Sequence, residues 1–316
     1  MTLLRLSPTG VSRSRFALSP LAETVGTLIA AQRAGSVAPR AYREWTARDP
    51  LAAGLLELVA STKWFPDFVG IPPSGGVDTR LDEELAEVAA FSDEDVRRTL
   101  RDTVAASAAR REPDWLPSSG LAPRIAEVFD DAWRRFVLPT WPRRRAVLER
   151  EITHRAGLVA AHGWQRAVTG MSRRSGWVGP DAIRFSDQDH SDREIGDQGL
   201  LFVPYTARQG SWTCERPPRY ALVYPARGTA ATFDTPRADP LSVLLGPGRA
   251  RIVGELARPA TSTQLAAGLD LSLGTVSGHL AVLRDAGVVD RSRVGRSVFY
   301  RLTERGEALL ALNADD

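Results

Sequence analysis

Apolar residues recur at helical spacing through the first half of the chain, condense into short runs after residue 175, and return to helical spacing near the end. Leu21, Val25, Leu28 and Ile29 form one stripe behind Ser19-Pro20, a serine N-cap followed by a proline suited to a first helical turn. Stripes of this kind predict helices over about 20–34, 40–49, 51–61, 81–91, 92–111, 122–138 and 139–156, with a shorter one to about 170. Asp49-Pro50 divides the second from the third, because proline opens a helix more readily than it continues one. Residues 3–17 read as an extended lead-in, with a strand over 14–18 docking on a sheet elsewhere. Residues 64–76, dense in aromatics, proline and glycine, read as an irregular loop. From 175 the runs at 177–178, 182–185, 200–205, 211–214 and 220–224 are branched or aromatic and bounded by glycine, proline or aspartate. They read as strands, with 228–233 as a further one.

The last helical stretch is the most informative. Thr261 or Ser262 is placed to cap a short helix carrying Leu265 inward, and Leu269-Asp270-Leu271 turns the chain. Ser272 then caps a second helix, 273–286, ended by Gly287 in the position that favours a left-handed residue. On that helix Val276, Leu280 and Leu283 make a single apolar stripe, while Thr275, Ser277, Gly278 and His279 occupy the other faces. Such asymmetry suits a helix that packs on its own domain with one side and enters a DNA major groove with the other. Beyond it, Val288-Val289 and Val298-Phe299-Tyr300 flank a hairpin tip that carries Arg293, Gly295 and Arg296.

The fold class expected is therefore α+β. A mostly helical N-terminal domain, 1–234, is helical to about 172 and has a small antiparallel sheet over 175–233. A linker follows at 235–240, and a C-terminal winged helix-turn-helix domain occupies 241–316. A length of 316 residues accommodates two domains. The hydrophobic share of 43% and charged share of 25% are those of a globular protein rather than a disordered or fibrous one. No run of eighteen apolar residues is present, and the first twenty residues lack a signal-peptide core, so no membrane span is expected. With Cys214 as the single cysteine no internal disulfide forms, which agrees with a cytoplasmic location. The net charge of +3 is too small to imply nucleic acid by itself. Between 243 and 303, however, eight arginines stand against four acids, a local excess that fits a phosphate-facing surface.

At these residues a resemblance becomes specific. TVSGHLAVLRDAGVV followed by GRSVFYRL, with LLGPGRARIVGELARPATSTQLA upstream, resembles the winged helix-turn-helix of the arsenical-repressor (ArsR) type family of bacterial regulators over about 241–310. RFALSPLAETVGTLIA, WFPDFVGIPP, LPTWPRRRAVLEREITHRA, GLLFVPY and LVYPARG resemble the long N-terminal domain of a regulator group from high-GC bacteria, a domain without assigned chemistry. The resemblance implies a dimeric repressor that reads an inverted repeat in double-stranded DNA. Candidate DNA contacts are Ser272, Gly274, Thr275, Ser277, Gly278, His279, Arg284, Arg293 and Arg296. Gly278 departs from the family pattern, where a longer polar side chain is common, and this reduces the bases the helix reads directly.

Metal sensing, frequent in that family, needs clustered cysteines on the scaffold helix; here Thr263-Gln264-Leu265-Ala266-Ala267 has no thiol. No metal or cofactor is expected. The acidic loop 187–192 reads as a solvated turn, and His154 and His162 are too far apart for one ion. No phosphate loop, nucleophile elbow or HExxH pair is present, so no enzyme is expected. The eight tryptophans read first as core. The functional alternative is an aromatic pocket for a small apolar or aromatic effector, with Trp133, Trp141 and Trp212 as its candidate liners. Arg143 to Arg145 read as a solvated basic face, or else as partners of an anion or DNA backbone. The competing functional class is a protein-interaction module or dimer scaffold in which the winged helix binds a protein partner.

Overall fold

The structure is a computed structural model that describes residues 2–62, 65–105, 115–171, 175–186, 192–207, 210–226, 240–295 and 297–311. It divides into two compact units, Met1–Pro139 with Val159–Pro225, and Thr140–Leu158 with Ala226–Asp316.

The first unit begins with β1 (Thr2–Leu6), α1 (Pro8–Arg13) and β2 (Arg15–Phe16). Its helices are α2 (Pro20–Ala34), α3 (Arg40–Arg48), α4 (Pro50–Ser61), α5 (Leu81–Ala89), α6 (Asp93–Ala105) and α7 (Leu121–Ala132). A π turn, Trp133–Val137, and a 3-10 turn, Leu138–Thr140, lead into α8 (Trp141–Val168), which breaks at Gly163 with φ 75° and ψ 176°. Helix starts follow the caps expected: Ser19 accepts from the Ala22 N–H, and Asp49 from the Leu51 and Ala52 N–H groups. The same Ser-Pro signal at Ser7-Pro8 opens α1, a helix within the stretch expected to be extended. The long helix expected over 122–138 ends at Ala132, and the described part of α6 ends at Ala105.

The strands depart from the expected small antiparallel sheet. β3 (Gly176–Val178), β4 (Ala182–Ser186) and β5 (Arg193–Gly196) join β1 in a four-stranded sheet of order β3-β4-β1-β5. β6 (Leu201–Tyr205), β7 (Trp212–Arg216) and β8 (Arg219–Pro225) join β2 in a second, of order β2-β6-β8-β7. Both are mixed: β1 pairs parallel with β5, and β6 runs parallel to both β2 and β8. The N-terminal lead-in supplies the extra strands, so β2 docks on a sheet as the pattern of 14–18 suggested.

Strand β6 is buried along its whole length, and its alternation serves two cores. Leu201, Val203 and Tyr205 pack with α2, α4 and α7, whereas Phe202 packs with Leu4, Ile183, Ile195 and Tyr224. Helix α2 lies so close to β6 that a Cβ on Gly26 would come within 2.4 Å of the Tyr205 ring, which explains the glycine there.

The second unit contains the 140–158 part of α8, then α9 (Pro240–Leu245), α10 (Pro247–Glu255), β9 (Ala260–Thr261), α11 (Ser262–Leu269) and α12 (Leu273–Asp285). It closes with β10 (Val289–Val294), β11 (Ser297–Leu302) and α13 (Glu304–Ala311). Its core joins Ile252 and Val253 of α10, Leu265 and Leu269 of α11, Val276, Leu280 and Leu283 of α12, and Val289 and Leu302 of the hairpin. The expected linker, 235–240, and the run at 228–233 lie outside the described residues except for Pro240. The expected division placed residues 140–158 in the N-terminal domain; their packing joins them to the second unit instead.

Candidate nucleic-acid interface

Local signals fix the geometry of α11 and α12. Thr261 and Gln264 form a capping box: the Gln264 N–H donates to Thr261 Oγ1 at 3.2 Å, and the Thr261 N–H donates to Gln264 Oε1 at 3.0 Å. α11 ends on Asp270, a left-handed residue with φ 55° and ψ 47°. Ser272 starts α12 by accepting from the Thr275 N–H at 3.1 Å, and Gly287, with φ 69°, follows its end. The chain bends by 116° between the two helices, the range in which the second helix of a helix-turn-helix projects from its domain. Val276, Leu280 and Leu283 are buried in the unit's core, while Ser272, Leu273, Gly274, Thr275, Ser277 and Gly278 are exposed.

β10 and β11 form an antiparallel hairpin with Val289 opposite Leu302, Arg293 opposite Val298 and Val294 opposite Ser297. β9, just before α11, pairs with β11 and ties the hairpin to the helix pair.

Residues 244–292 match the family described as a helix-turn-helix domain. The second unit carries that domain. The chain is also 41% identical over 71 residues to the biofilm growth-associated repressor of Agrobacterium fabrum (strain C58). That stretch is 22% of this chain and 61% of the relative, so the chain spans less than two thirds of the relative's length. No solved structure matches the chain.

Within the helix-turn-helix domain the candidate residues divide by what they touch. Ser272 and Thr275 face each other, with their hydroxyl oxygens 2.8 Å apart, and Ser277 is exposed. Around Gly278 nothing lies within 4 Å of where a Cβ would sit, and at Gly274 the nearest atom is Ser272 Oγ at 3.8 Å. His279 turns the other way: a Cβ on Gly248 of α10 would lie 2.7 Å from its Nε2, so its ring packs back on the domain. Arg284 is exposed, 3.7 Å from its neighbour Asp285. Arg293 is exposed near the hairpin tip and donates from Nε to the Gly295 carbonyl at 3.3 Å. Arg296 lies outside the described residues.

In the basic run 143–145, Arg145 pairs with Glu149 one turn on and Arg144 donates to Thr140, as a surface face would, whereas Arg143 departs from the solvated face expected of it. Arg143 donates from Nε to the Gly268 carbonyl at 2.8 Å, at the C-terminal end of α11. Arg251 of α10 satisfies the next carbonyl, Leu269, at 2.8 Å. Arg150 pairs with Glu255 at the end of α10, through both its side chain and its backbone carbonyl. Glu151, with no exposed side-chain surface, takes Arg155 at 2.8 Å on one oxygen and Arg258 at 2.5 Å on the other. Burial pulls the Arg258 guanidinium below its ordinary range, against the Glu151 carboxylate that supports its charge. A helix end capped by a positive group is also favoured by the helix dipole. Sequence reasoning missed these residues because Glu151 and Arg155, four apart, have the spacing of an ordinary surface pair.

Trp133 and Trp212 are buried in the first unit, Trp212 edge-on to Phe65 at 5.3 Å and to Tyr205 at 4.7 Å, while half-buried Trp141 belongs to the second unit. A shallow cavity of about 260 Å³ in the first unit is lined by Ala31, Gln32, Gly35, Tyr42, Arg43, Thr46, Ala47 and Ala53 and includes none of the three. Cys214 is buried, and burial pushes its thiol up, away from the thiolate form a soft metal takes. Of the acidic loop 187–192 only Asp192 is described, and it accepts from the Leu3 N–H and from Arg5. Among the described residues no single helix is long and apolar enough to cross a membrane.

Proposed function

We propose that this chain is a DNA-binding transcription regulator that acts as a repressor, with a winged helix-turn-helix of the ArsR type as its reading head. The observation that carries this reading is α12 itself, buried along one stripe, open and small on the other side, and set at 116° to α11. A helix with that profile fits a major groove about 12 Å wide. The hairpin β10–β11 is the wing, with Arg293 of β10 as its phosphate contact and Arg296 a candidate from the sequence alone. The name of the Agrobacterium relative supports the repressor part of the reading.

The protein acts as a homodimer on an inverted repeat, since one recognition helix buries too little surface for operator-grade affinity. It takes no catalytic part. The first unit responds to a small non-metal effector, by the population shift that any ligand with unequal affinity for two states produces. What supports an effector is the presence of a separate first unit beside the one that carries the helix-turn-helix domain.

A gel shift with the DNA upstream of the chain's own gene, repeated at rising salt, tests the proposal. Retention of that DNA over an unrelated duplex, falling steeply with salt, is expected. No retention at low salt would favour a winged helix that binds a protein partner.

A further inference from the structure

If α12 faces DNA, its exposed side chains set what it reads. In the major groove guanine is picked out by Arg or Lys, adenine by Asn or Gln, cytosine by a carboxylate, and a C5-methyl group by an apolar contact. From Ser272 to Leu283, α12 carries none of the charged or amide side chains that make those polar contacts. Among its polar residues His279 packs on α10, and Ser272 and Thr275 hold each other and the helix cap, which leaves the exposed Ser277, whose hydroxyl does not select one base over another. Gly274 and Gly278 offer no side chain. What projects at the first position of the helix is Leu273, 51% exposed and one residue after the cap. The N-terminal residues of a recognition helix are the ones that reach base edges. Val282 is equally exposed at 51%, but it lies nine residues further on, about 13.5 Å along the helix axis.

We propose that Leu273 reads the C5-methyl group of a pyrimidine in the major groove, so that α12 selects its site by apolar contact rather than by forked hydrogen bonds. Ser277, one turn on and exposed, is the neighbour of Leu273 on the same face, and its short side chain allows the edge of the base to come up to the leucine. The inference rests on the DNA-binding reading above. Its ligand chemistry, a methyl on C5, belongs equally to thymine and to 5-methylcytosine.

The test uses the full chain and a pool of random duplexes. An enriched duplex is remade with deoxyuridine replacing each enriched thymine in turn, and with cytosine or 5-methylcytosine at the same places. Dissociation constants are measured by fluorescence anisotropy at fixed salt. At one position per half-site, loss of the methyl is expected to weaken binding about 4-fold, the worth of one methyl-sized apolar group. 5-Methylcytosine should exceed cytosine there by a similar factor, and whichever methylated base binds tighter names the preferred source. Leu273→Ala should bind thymine and uracil duplexes equally while keeping its circular dichroism and its non-specific DNA affinity. Leu273→Met and Val282→Ala should both keep the discrimination. Equal binding of thymine and uracil duplexes at every position overturns the proposal, as does a penalty that persists in Leu273→Ala. Those results leave DNA binding standing. A pool from which nothing is enriched, and no binding to any duplex at low salt, would remove the DNA-binding reading and this proposal together.

Discussion

Glu84 in the first unit and Glu151 in the second are both buried, yet they are held by different partners. Glu84, on α5, accepts from Ser19 Oγ and from the Leu21 N–H, and so caps the start of α2 with neutral donors. Glu151, on α8, lies between the guanidinium groups of Arg155 and Arg258. Without a cation beside it, Glu84 is pushed up to about 8 by burial, with its two hydrogen bonds opposing the shift. Glu84 is thus kept protonated near neutral pH, whereas the second unit keeps a charge-balanced cluster. A buried carboxylate therefore says little until its partners are named, and the two sites are expected to fail in different ways.

The largest effect is expected at the cluster. Glu151→Ala leaves Arg155, only 1% exposed, without the carboxylate it was buried against. Breaking one side of a buried ion pair typically costs about 3–5 kcal/mol, because the remaining charge is stranded. Urea unfolding should show a loss of that size, together with weakened DNA binding. Replacing both Glu151 and Arg155 by leucine should cost far less. A loss below about 1 kcal/mol in Glu151→Ala would mean that the α8 segment is not an integral part of the DNA-binding unit.

Glu84 gives the opposite signature, one that depends on pH. Below its ordinary value of 4.5 both the folded and unfolded chains carry the proton. Between 4.5 and about 8 the unfolded chain has released it and the folded chain has not, so stability falls as pH rises through that window. Above about 8 no further loss arises from this group. Glu84→Gln keeps an acceptor for the Leu21 N–H and removes the charge. Between pH 5 and pH 8 the wild type should lose about 2–4 kcal/mol relative to that variant in urea titrations. Parallel curves would show that Glu84 is ionised throughout.

Arg143 sharpens the comparison at lower cost. Its hydrogen bond to Gly268 reaches a helix-end carbonyl from a partly buried side chain. Arg143→Ala should destabilise the second unit by about 1–2 kcal/mol, with Arg143→Lys recovering part of it. If the run of arginines were an idle solvated face, alanine would change stability by less than about 0.5 kcal/mol.

The parts of the molecule legible in the sequence are those fixed within a few residues. Thr261 with Gln264, Ser272 with Thr275, and Gly287 declare the ends of α11 and α12, and the stripe of Val276, Leu280 and Leu283 declares the inner face. Ser19-Pro20 and Asp49-Pro50 do the same for α2 and α4. What was hidden depends on partners far along the chain. Arg258 meets Glu151 across 107 residues and Arg143 meets Gly268 across 125, so nothing local marks them as buried. The parallel pairing of β1 with β5 and of β2 with β6 likewise joins the two ends of the first unit, and no turn signal encodes it. His279 sits on the helix among polar candidates, but a glycine on α10 gives its ring a place to pack.

The smallest effect concerns the hairpin, which contrasts with the α8 cluster in being exposed at the described residues of its tip. Arg293 lies on β10 with its guanidinium near the Gly295 carbonyl and no carboxylate among its described hydrogen bonds or ion pairs. Arg301, further down the same hairpin, is instead paired with Asp290 at 3.2 Å. An unneutralised arginine at a wing tip adds to DNA affinity by displacing condensed counterions, a contribution that does not depend on base sequence. Arg293→Ala should therefore weaken binding to specific and unrelated duplexes alike, by about 1 kcal/mol at low salt, and reduce the slope of log K against log salt by about 1. The fold should be untouched, because an exposed side chain of this kind contributes little to stability. Arg301→Ala, which removes a cation already neutralised by Asp290, should leave the slope nearly unchanged. An equal change of slope in both variants would mean that the hairpin acts through its total charge, and an unchanged slope in Arg293→Ala would mean that its tip does not lie on phosphate.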